Sequence, residues 1–353
     1  MTDVAVWILH PEPAATAGPL ERLLSDARRA LAERHRTAFL AAGAATATVV
    51  SGPADDTPFG ARLRDLEAAS GAPGVVVLGS GAIPLATAAD RRDFVSAAGS
   101  GGAGALANNR YSADVVAIAC AERLLQLPDL AADNALPRWL EEVAGYEVRD
   151  LRRRWRLAMD LDSPLDLALL GDPGAALNAV TGRLDAFAAV AHDRRAEIVV
   201  AGRTNAASIA WLERHTAARV RALVEERGLR ASGRVTGPEA GSARAPQRPP
   251  RSVLGLVLDR DGPDALGDRL AELGDAALVD TRVLLAHRLG PDESRWPSAE
   301  DRFASDLLAP DAIADPWLRR LTESAAAASI PIVLGGHSLV GPGVRLAARR
   351  SPR

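Results

Sequence analysis

Hydrophobic and polar positions alternate along the chain in blocks that are typical of βαβ units. Short apolar, β-branched runs predict strands, and stretches with an apolar residue every three or four positions predict helices. In the first half, Gly74–Gly79 has the continuous apolar character of a buried parallel strand. The predicted strands of this half are Val4–Leu9, Ala47–Val50, Gly74–Gly79, two short strands within Ala105–Ile118, Tyr146–Val148 and a strand ending near Asp160.

Helical periodicity fills the intervals between these strands. The predicted helices of the first half are Pro19–Ala42, Phe59–Ser70, Ala88–Ala98, Ala121–Leu127 and Asn134–Val143. In the second half we predict helices at Pro173–His192, Ala206–Arg227, Glu300–Leu307 and Pro316–Ala328, and strands at Glu197–Ala201, Val253–Leu258, Ala276–Val279 and Ile330–Leu334. Residues 231–252 are rich in Gly, Pro, Ser, Ala and Arg and predict a flexible loop.

This pattern predicts an α/β protein of two domains. Residues 1–170 should form a mostly parallel sheet flanked by helices, and residues 171–353 a second α/β domain. No apolar run approaches the roughly 18 residues of a membrane span. The single cysteine, Cys120, excludes an intrachain disulfide. These features, together with an N-terminus that lacks signal-peptide character, lead us to expect a cytoplasmic protein.

The net charge and the types of basic residue restrict the functions that the protein can have. The net charge of -3 provides no general field for attracting nucleic acid. All 42 basic residues are arginine, because the sequence contains no lysine. A P-loop lysine, a Schiff-base lysine and a lysine general base are therefore excluded. Any phosphate must be held by arginine, by backbone N–H groups or through a metal ion.

One segment combines acidic residues with a strand end and a helix start. Residues Leu157–Leu167 read Leu-Ala-Met-Asp-Leu-Asp-Ser-Pro-Leu-Asp-Leu, and strand alternation would place Asp160 and Asp162 on one side. Two carboxylates at this spacing can share a divalent metal that bridges nucleotide phosphates. The segment also suits a helix N-terminus in which Ser163 is the cap and Pro164 the first helical residue.

In the order of these segments, residues 1–170 resemble the cofactor guanylyltransferases, namely the molybdenum-cofactor and phospholactate guanylyltransferases. The late segment of that family is a strand ending in Asp-x-Asp-Thr-Pro-x-Asp-Leu. The resemblance implies a nucleotide-diphospho-sugar transferase-like, Rossmann-like fold and transfer of a nucleoside monophosphate from a nucleoside triphosphate to a phosphorylated acceptor. It also implies Mg²⁺ or Mn²⁺ at Asp160 and Asp162. Contacts to nucleotide or acceptor would come from Asn108, Asn109 and Arg110, which otherwise suit a polar hairpin turn.

Two positions depart from the family pattern. Where the family has a basic, Gly-rich phosphate loop, residues 10–18 read His-Pro-Glu-Pro-Ala-Ala-Thr-Ala-Gly, with two prolines that lack N–H donors. Where the family has a metal-binding aspartate in Gly-Asp-x-Pro-Leu, this chain has Ala82. A second hypothesis is therefore a non-catalytic descendant that serves as a ligand-binding or assembly module.

The second half resembles no family that we recognise, but polar groups follow three of its predicted strands. Gly202-Arg203-Thr204-Asn205 precedes a helix, as in anion sites at helix N-termini, although Thr204 or Asn205 also suits a helix cap. Asp280 and Arg282 follow another strand, and Gly336 and His337 follow the last one, where His337 could act as acid or base.

A third hypothesis therefore places a small-molecule enzyme in the second half, with Arg203, Asp280 and His337 acting on a phosphorylated or carboxylated substrate. This hypothesis requires the three strand ends to lie on one face of the protein. For the protein as a whole, the ligand that we expect is a nucleotide or a small phosphorylated molecule. The sequence leaves the oligomeric state open, a homo-oligomer included.

Overall fold

The computed structural model describes residues 3–53, 55, 57–171, 174, 177–226 and 250–350. These residues form two compact units. The first contains the described residues of 3–17 and 25–160, and the second those of 18–24, 161–226 and 250–350. Most of the predicted loop 231–252, namely residues 231–249, lies outside the described residues.

The first unit is built on a six-stranded mixed sheet. Its strands are β1 (Val4–Glu12), β2 (Thr46–Pro53), β3 (Gly74–Gly79), β4 (Gly104–Ala107), β5 (Val115–Ala119) and β6 (Glu147–Asp150). They lie in the order β2-β1-β3-β5-β4-β6, and β5 runs antiparallel to both of its neighbours, β3 and β4. The α/β class is confirmed, whereas the sheet is mixed because β4 and β5 pair as an antiparallel hairpin.

Helices cover both faces of this sheet. They are α1 (Pro19–Ala41), α2 (Phe59–Ser70), α3 (Ala88–Ala98) and α4 (Leu136–Glu142), with short 3₁₀ helices at Ala121–Gln126, Asp133–Ala135 and Trp155–Ala158. Successive residues of β1 alternate between two cores: Val6 and Ile8 pack with Phe39 and Phe94, while Trp7 lies in the other core. Burial of both faces explains why the strands are apolar without interruption.

The second unit contains a four-stranded parallel sheet. Its strands β7 (Glu197–Gly202), β8 (Arg219–Val224), β9 (Ala276–Asp280) and β10 (Ile332–Gly335) lie in the order β10-β9-β7-β8. The helices are α5 (Pro164–Leu169), α6 (Asn178–Ala191), α7 (Ala206–His215), α8 (Val253–Asp261), α9 (Leu266–Leu273), α10 (Thr281–Leu289), α11 (Ala299–Asp306), α12 (Pro316–Ala327), α13 (His337–Val340) and α14 (Val344–Ala347). Among the described residues, no helix is long and apolar enough to cross a membrane.

Two predicted elements of the second half are wrong. The predicted helix Ala206–Arg227 ends at His215, and the chain continues as β8, in which Val220 pairs with Ile198 of β7. Pairing along the sheet overrides the helical preference of Arg, Ala and Leu there. The predicted strand Val253–Leu258 is the start of α8, because the Ser252 hydroxyl caps it by accepting the Gly255 N–H at 3.0 Å.

The acidic segment after β6 also differs from its prediction. The expected strand ending at Asp160 is a 3₁₀ helix, Trp155–Ala158, followed by a single antiparallel bridge between Asp160 and Ala82. Asp160 belongs to the first unit, and Asp162 to the second. Strand alternation therefore does not relate the two carboxylates.

Candidate functional site

The candidate site of the second unit lies at the carboxyl edge of its parallel sheet. The chain passes from β7 to β8 on one side and then crosses to β9 on the other side. The edge between β7 and β9 is therefore a topological switch point, where open α/β sheets bind their ligands. Arg203 follows β7, and Asp280 ends β9 at this position.

Arg203 and Asp280 form a bidentate ion pair across the switch point. Arg203 Nε donates to Asp280 Oδ2 at 2.6 Å, and its NH2 donates to Oδ1 at 3.1 Å. The Asp280 carboxylate also accepts the Arg282 backbone N–H at 3.1 Å and so caps α10. Burial acts to raise the pKa of Asp280, but the combined attraction of Arg203, Arg282 and His337 outweighs it and lowers that pKa.

Gly202 allows this pair to form. Its φ of +125° lies in the region that favours glycine. A Cβ atom placed on Gly202 would lie 2.2 Å from the Cβ of Asp280, well inside van der Waals contact. Residue 202 must therefore be glycine for the end of β7 to approach Asp280.

A second buried ion pair joins Arg282 to Asp306 at the end of α11. Arg282 NH2 donates to Asp306 Oδ2 at 2.7 Å, NH1 donates to the other carboxylate oxygen, and NH1 also reaches the Thr281 hydroxyl at 2.9 Å. Burial disfavours the Arg282 cation, but the attraction of Asp306, and then of Asp280, outweighs it and raises the pKa. Arg282 therefore remains charged inside the protein.

These strand ends surround a cleft of about 240 Å³. Its walls are formed by Asp162, Ser163, Asp166, Arg203, Arg282, Glu293, Arg302, Phe303, Gly336, His337 and Ser338. The volume is below the roughly 300–1,000 Å³ that drug-sized ligands occupy. The cleft therefore suits a small polar ligand.

Arg302 of α11 forms one wall of the cleft. Its NH1 donates to Glu293 Oε2 at 3.3 Å, and its guanidinium lies over the Trp296 ring at 5.7 Å. Its Nε is buried and has no hydrogen-bond partner among the described residues. Burial, and then repulsion from Arg282, lowers the pKa of Arg302. Arg302 thus presents a buried donor that lacks an acceptor.

Asp166 supplies a carboxyl group of a different kind. Its Oδ2 accepts the backbone N–H groups of Asp162 and Ser163, each at 2.8 Å. Asp166 is only 2% exposed. Burial, and then the nearby Asp162 carboxylate, raise the pKa of Asp166 to about 8. Asp166 therefore holds a proton at neutral pH and can donate it.

His337 enters the cleft from the end of β10. Gly336 precedes it, and a Cβ atom on Gly336 would lie 3.7 Å from Arg282 Nε and 3.9 Å from Arg203 NH2. On its other side, the His337 ring lies close to Gly341, where a Cβ atom would be 3.2 Å from Nε2. Both glycines thus border functional side chains of the cleft.

No family model and no curated protein matches this chain.

The structure brings together Arg203, Gly336 and His337, and places two other predicted residues beside them. Asn205 is the N-cap of α7, where its Oδ1 accepts the Ser208 N–H at 2.9 Å. Thr204 is 6% exposed, and its hydroxyl has no hydrogen-bond partner. Neither Thr204 nor Asn205 lines the cleft.

Asn108 lies in the first unit, where its side chain stabilises the β4–β5 hairpin. Its Nδ2 donates to Asp114 Oδ2 at 2.7 Å and to the Leu157 carbonyl at 2.8 Å. Its Oδ1 accepts the Asp114 N–H at 3.0 Å. Oδ1 also accepts the Val115 N–H at 3.3 Å, so these bonds use both amide hydrogens and both lone pairs of a residue that is only 2% exposed, as a structural turn requires.

Asn109 and Arg110 continue the same turn. Asn109 Oδ1 accepts the Tyr111 N–H at 3.0 Å, the geometry of an Asx turn. Arg110 pairs with Glu141, and its guanidinium lies over the Tyr111 ring at 5.4 Å. The Asn109 contact is thus local, whereas Arg110 ties the turn to α4 through Glu141, 31 residues further along the chain.

The two predicted metal ligands belong to different units of the fold. Asp160 bridges to Ala82, which is 2% exposed, whereas Asp162 is exposed at the cleft. Across the described residues, no group of three or more His, Cys, Asp or Glu side chains is arranged to hold a metal ion. Mg²⁺ and Mn²⁺ favour several oxygen ligands, so this donor set does not fit a dedicated metal site.

Sequence reasoning missed several cleft residues. Nothing in the local sequence marks Arg302 of α11 or Glu293 of the short 3₁₀ helix Glu293–Arg295, because charged residues of such helices are ordinarily solvated. Asp166 lies in the first turn of α5, where an acidic residue is common for helix capping alone. Asp306 could be recognised only through its partner Arg282, which lies 24 residues earlier in the sequence.

Proposed function

We propose that the second unit carries the working site of this protein, as a small-molecule enzyme acting on a phosphorylated or carboxylated substrate. One observation supports the proposal most strongly. Arg203, Arg282, Arg302 and His337 come from four separate segments and line a single cleft at the switch point of a parallel sheet.

The side chains of the cleft suit acid–base chemistry on an anionic substrate. Arginine side chains orient a carboxylate or phosphate through directional N–H donors. His337 can remove a proton from the bound molecule, and the protonated Asp166 can deliver one. The pKa of Asp166, raised to about 8, gives it the neutral form that a general acid requires near pH 7.

Gly336 provides a direct test of the cleft. The protein is titrated with inorganic phosphate, sulfate and small carboxylates while its melting temperature is followed, since a bound ligand stabilises the native state. Gly336→Ala should fold normally, because the added Cβ makes only ordinary contacts at 3.7 Å. Gly336→Leu should fill the cleft and abolish the stabilisation. If no anion stabilises the protein, or if Gly336→Leu responds like wild type, the proposal fails.

His337 tests the enzymatic part of the proposal. His337→Gln should retain ligand-induced stabilisation and lose turnover of any substrate that the protein converts. His215→Gln is the matched control, because His215 stacks on Trp211 and does not line the cleft. Equal turnover in wild type and His337→Gln would remove His337 from the chemistry.

For the first unit we propose a nucleotidyltransferase-like fold without transferase chemistry. In support, β1 continues to Glu12, so His10 and Pro11 occupy a strand where the family has its phosphate loop. Ala82 is buried and pairs with Asp160. Titration with GTP, CTP, ATP and UTP should therefore give no Mn²⁺-dependent thermal shift. A metal-dependent shift that is lost in the Asp160→Ala, Asp162→Ala double variant would overturn this proposal.

A further inference from the structure

Arg302 differs from the other two arginines of the cleft in how its donors are used. Arg203 is engaged by the buried Asp280 through Nε and NH2, and Arg282 is engaged by Asp306 through NH1 and NH2. Both carboxylate partners have fully buried side chains. These two arginines are therefore committed to partners that water does not reach.

The partner of Arg302 is of another kind. The side chain of Glu293 is 42% exposed, and its Oε2 accepts from Arg302 NH1 at 3.3 Å. An ion pair at that exposure contributes little, because water screens it. The Nε of Arg302 is buried and has no acceptor in the part of the chain that the structure describes. A buried donor without an acceptor is costly, so an anion that reaches this Nε should bind favourably.

The orientation of the Arg302 guanidinium is also restricted. Its plane is supported by the Trp296 ring at 5.7 Å, and its side chain is only 19% exposed. A guanidinium held in this way offers a planar edge to a planar acceptor. The pair between Arg203 and Asp280 shows the same kind of edge, Nε with NH2, bound to a carboxylate in this unit.

We propose that the substrate of the cleft is a small carboxylate, that the Arg302 guanidinium binds its carboxyl group, and that Glu293 competes with the substrate's carboxyl group for that guanidinium. This inference rests on the function proposed for the second unit and specifies its substrate class. The cleft volume of about 240 Å³ fits a small organic acid. Glu293 then acts as an internal substitute for the substrate's carboxylate until the substrate replaces it.

Binding of acetate, glycolate, malonate and succinate, each compared with inorganic phosphate, tests the inference by calorimetry. Arg302→Lys keeps the charge but loses the Nε donor, and should weaken carboxylate binding by about tenfold or more. Glu293→Gln removes the competitor and should strengthen binding by about two- to fivefold. Glu213→Gln, at an exposed position of α7, is the matched control and should leave the dissociation constant unchanged.

A second readout follows the Arg302 Nε–H resonance in ¹⁵N spectra, assigned by its loss in Arg302→Lys. Carboxylates should shift this resonance, and the shift should saturate with the calorimetric dissociation constant. Unchanged carboxylate affinity in Arg302→Lys overturns the inference, as does tighter binding of phosphate than of every carboxylate. If neither anion class binds, or if Gly336→Leu binds as wild type does, the proposed function itself has failed.

Discussion

Glu67 of α2 is a carboxyl group buried without a hydrogen-bond partner for one of its oxygens. The residue is 3% exposed, and its Oε2 has no hydrogen-bond partner among the described residues. Burial, and then repulsion from Glu122, raise the pKa of Glu67 from 4.5 to about 7. Because no cation pairs with Glu67 among these contacts, the folded protein favours its protonated form.

This shift makes the stability of the protein depend on pH with a defined sign. Between pH 4.5 and pH 7 the folded state keeps a proton on Glu67 that the unfolded state releases, so stability falls as pH rises through this window. Below the window both states are protonated and the effect vanishes. At about 1.4 kcal/mol per pKa unit, the full effect above pH 8 is on the order of 3 kcal/mol.

Glu67→Gln removes the titration and keeps the shape of the side chain. The variant should match wild type in urea denaturation at pH 4.5 and exceed it by about 2–3 kcal/mol at pH 8.5. Tryptophan fluorescence and hydrogen exchange of β1 and β3 report the transition of the first unit. Asp65→Asn, at an exposed position of the same helix, is the control. A difference between Glu67→Gln and wild type that is equal at both pH values would refute the reasoning.

Three predictions concern the second unit. Gly202→Ala should lower the free energy of unfolding by about 2–4 kcal/mol in thermal melts, since the φ of residue 202 is +125° and the added Cβ clashes with Asp280. Gly182→Ala, in the open interior of α6, should instead raise that free energy by about 0.5–1 kcal/mol. Equal melting temperatures for these two variants would contradict the geometry. Asp306→Ala should cost about 3–5 kcal/mol in urea denaturation, because Arg282 loses its buried partner, and a cost below 1 kcal/mol would contradict that pairing. Asn205→Ala should cost about 1 kcal/mol by loss of the α7 cap, with Asn205→Ser restoring most of it. Unchanged phosphate binding in both Asn205 variants would identify the residue as a cap, and weaker binding would identify a ligand contact.

The local pattern of hydrophobic and polar residues was sufficient to predict most helices and strands of the fold. The strands β1, β3, β7 and β9 and the helices α1, α2 and α3 lie within a few residues of their predicted bounds, because continuous apolar runs and helical periodicity are local properties. The predictions for β8 and α8 are wrong because these two elements depend on contacts that the hydrophobic pattern does not show. Strand β8 depends on pairing with β7, and α8 depends on a single capping serine, Ser252.

The candidate site was predictable only in part. Arg203, Asp280 and His337 were recognisable because they follow predicted strands, and parallel strands bring their carboxyl ends to one edge. Arg302 lies on α11 and Glu293 on a short 3₁₀ helix, where nothing in the local sequence separates a ligand contact from an ordinary surface charge. Their roles depend on burial and on the partners of the neighbouring arginines, which only the three-dimensional arrangement reveals.

The two buried ion pairs at the strand ends have a consequence for how this cleft can evolve. Substituting Asp280 or Asp306 removes the buried partner of an arginine that stabilises the fold and also lines the cleft. Variants at these positions should therefore lose folded protein before they can bind a new ligand. Substituting Arg302 or Glu293 does not remove a buried ion pair that stabilises the fold in this way. Under the proposed function, a change of substrate range, in nature or in laboratory selection, should therefore begin at Arg302 and Glu293, while Asp280 and Asp306 stay unchanged.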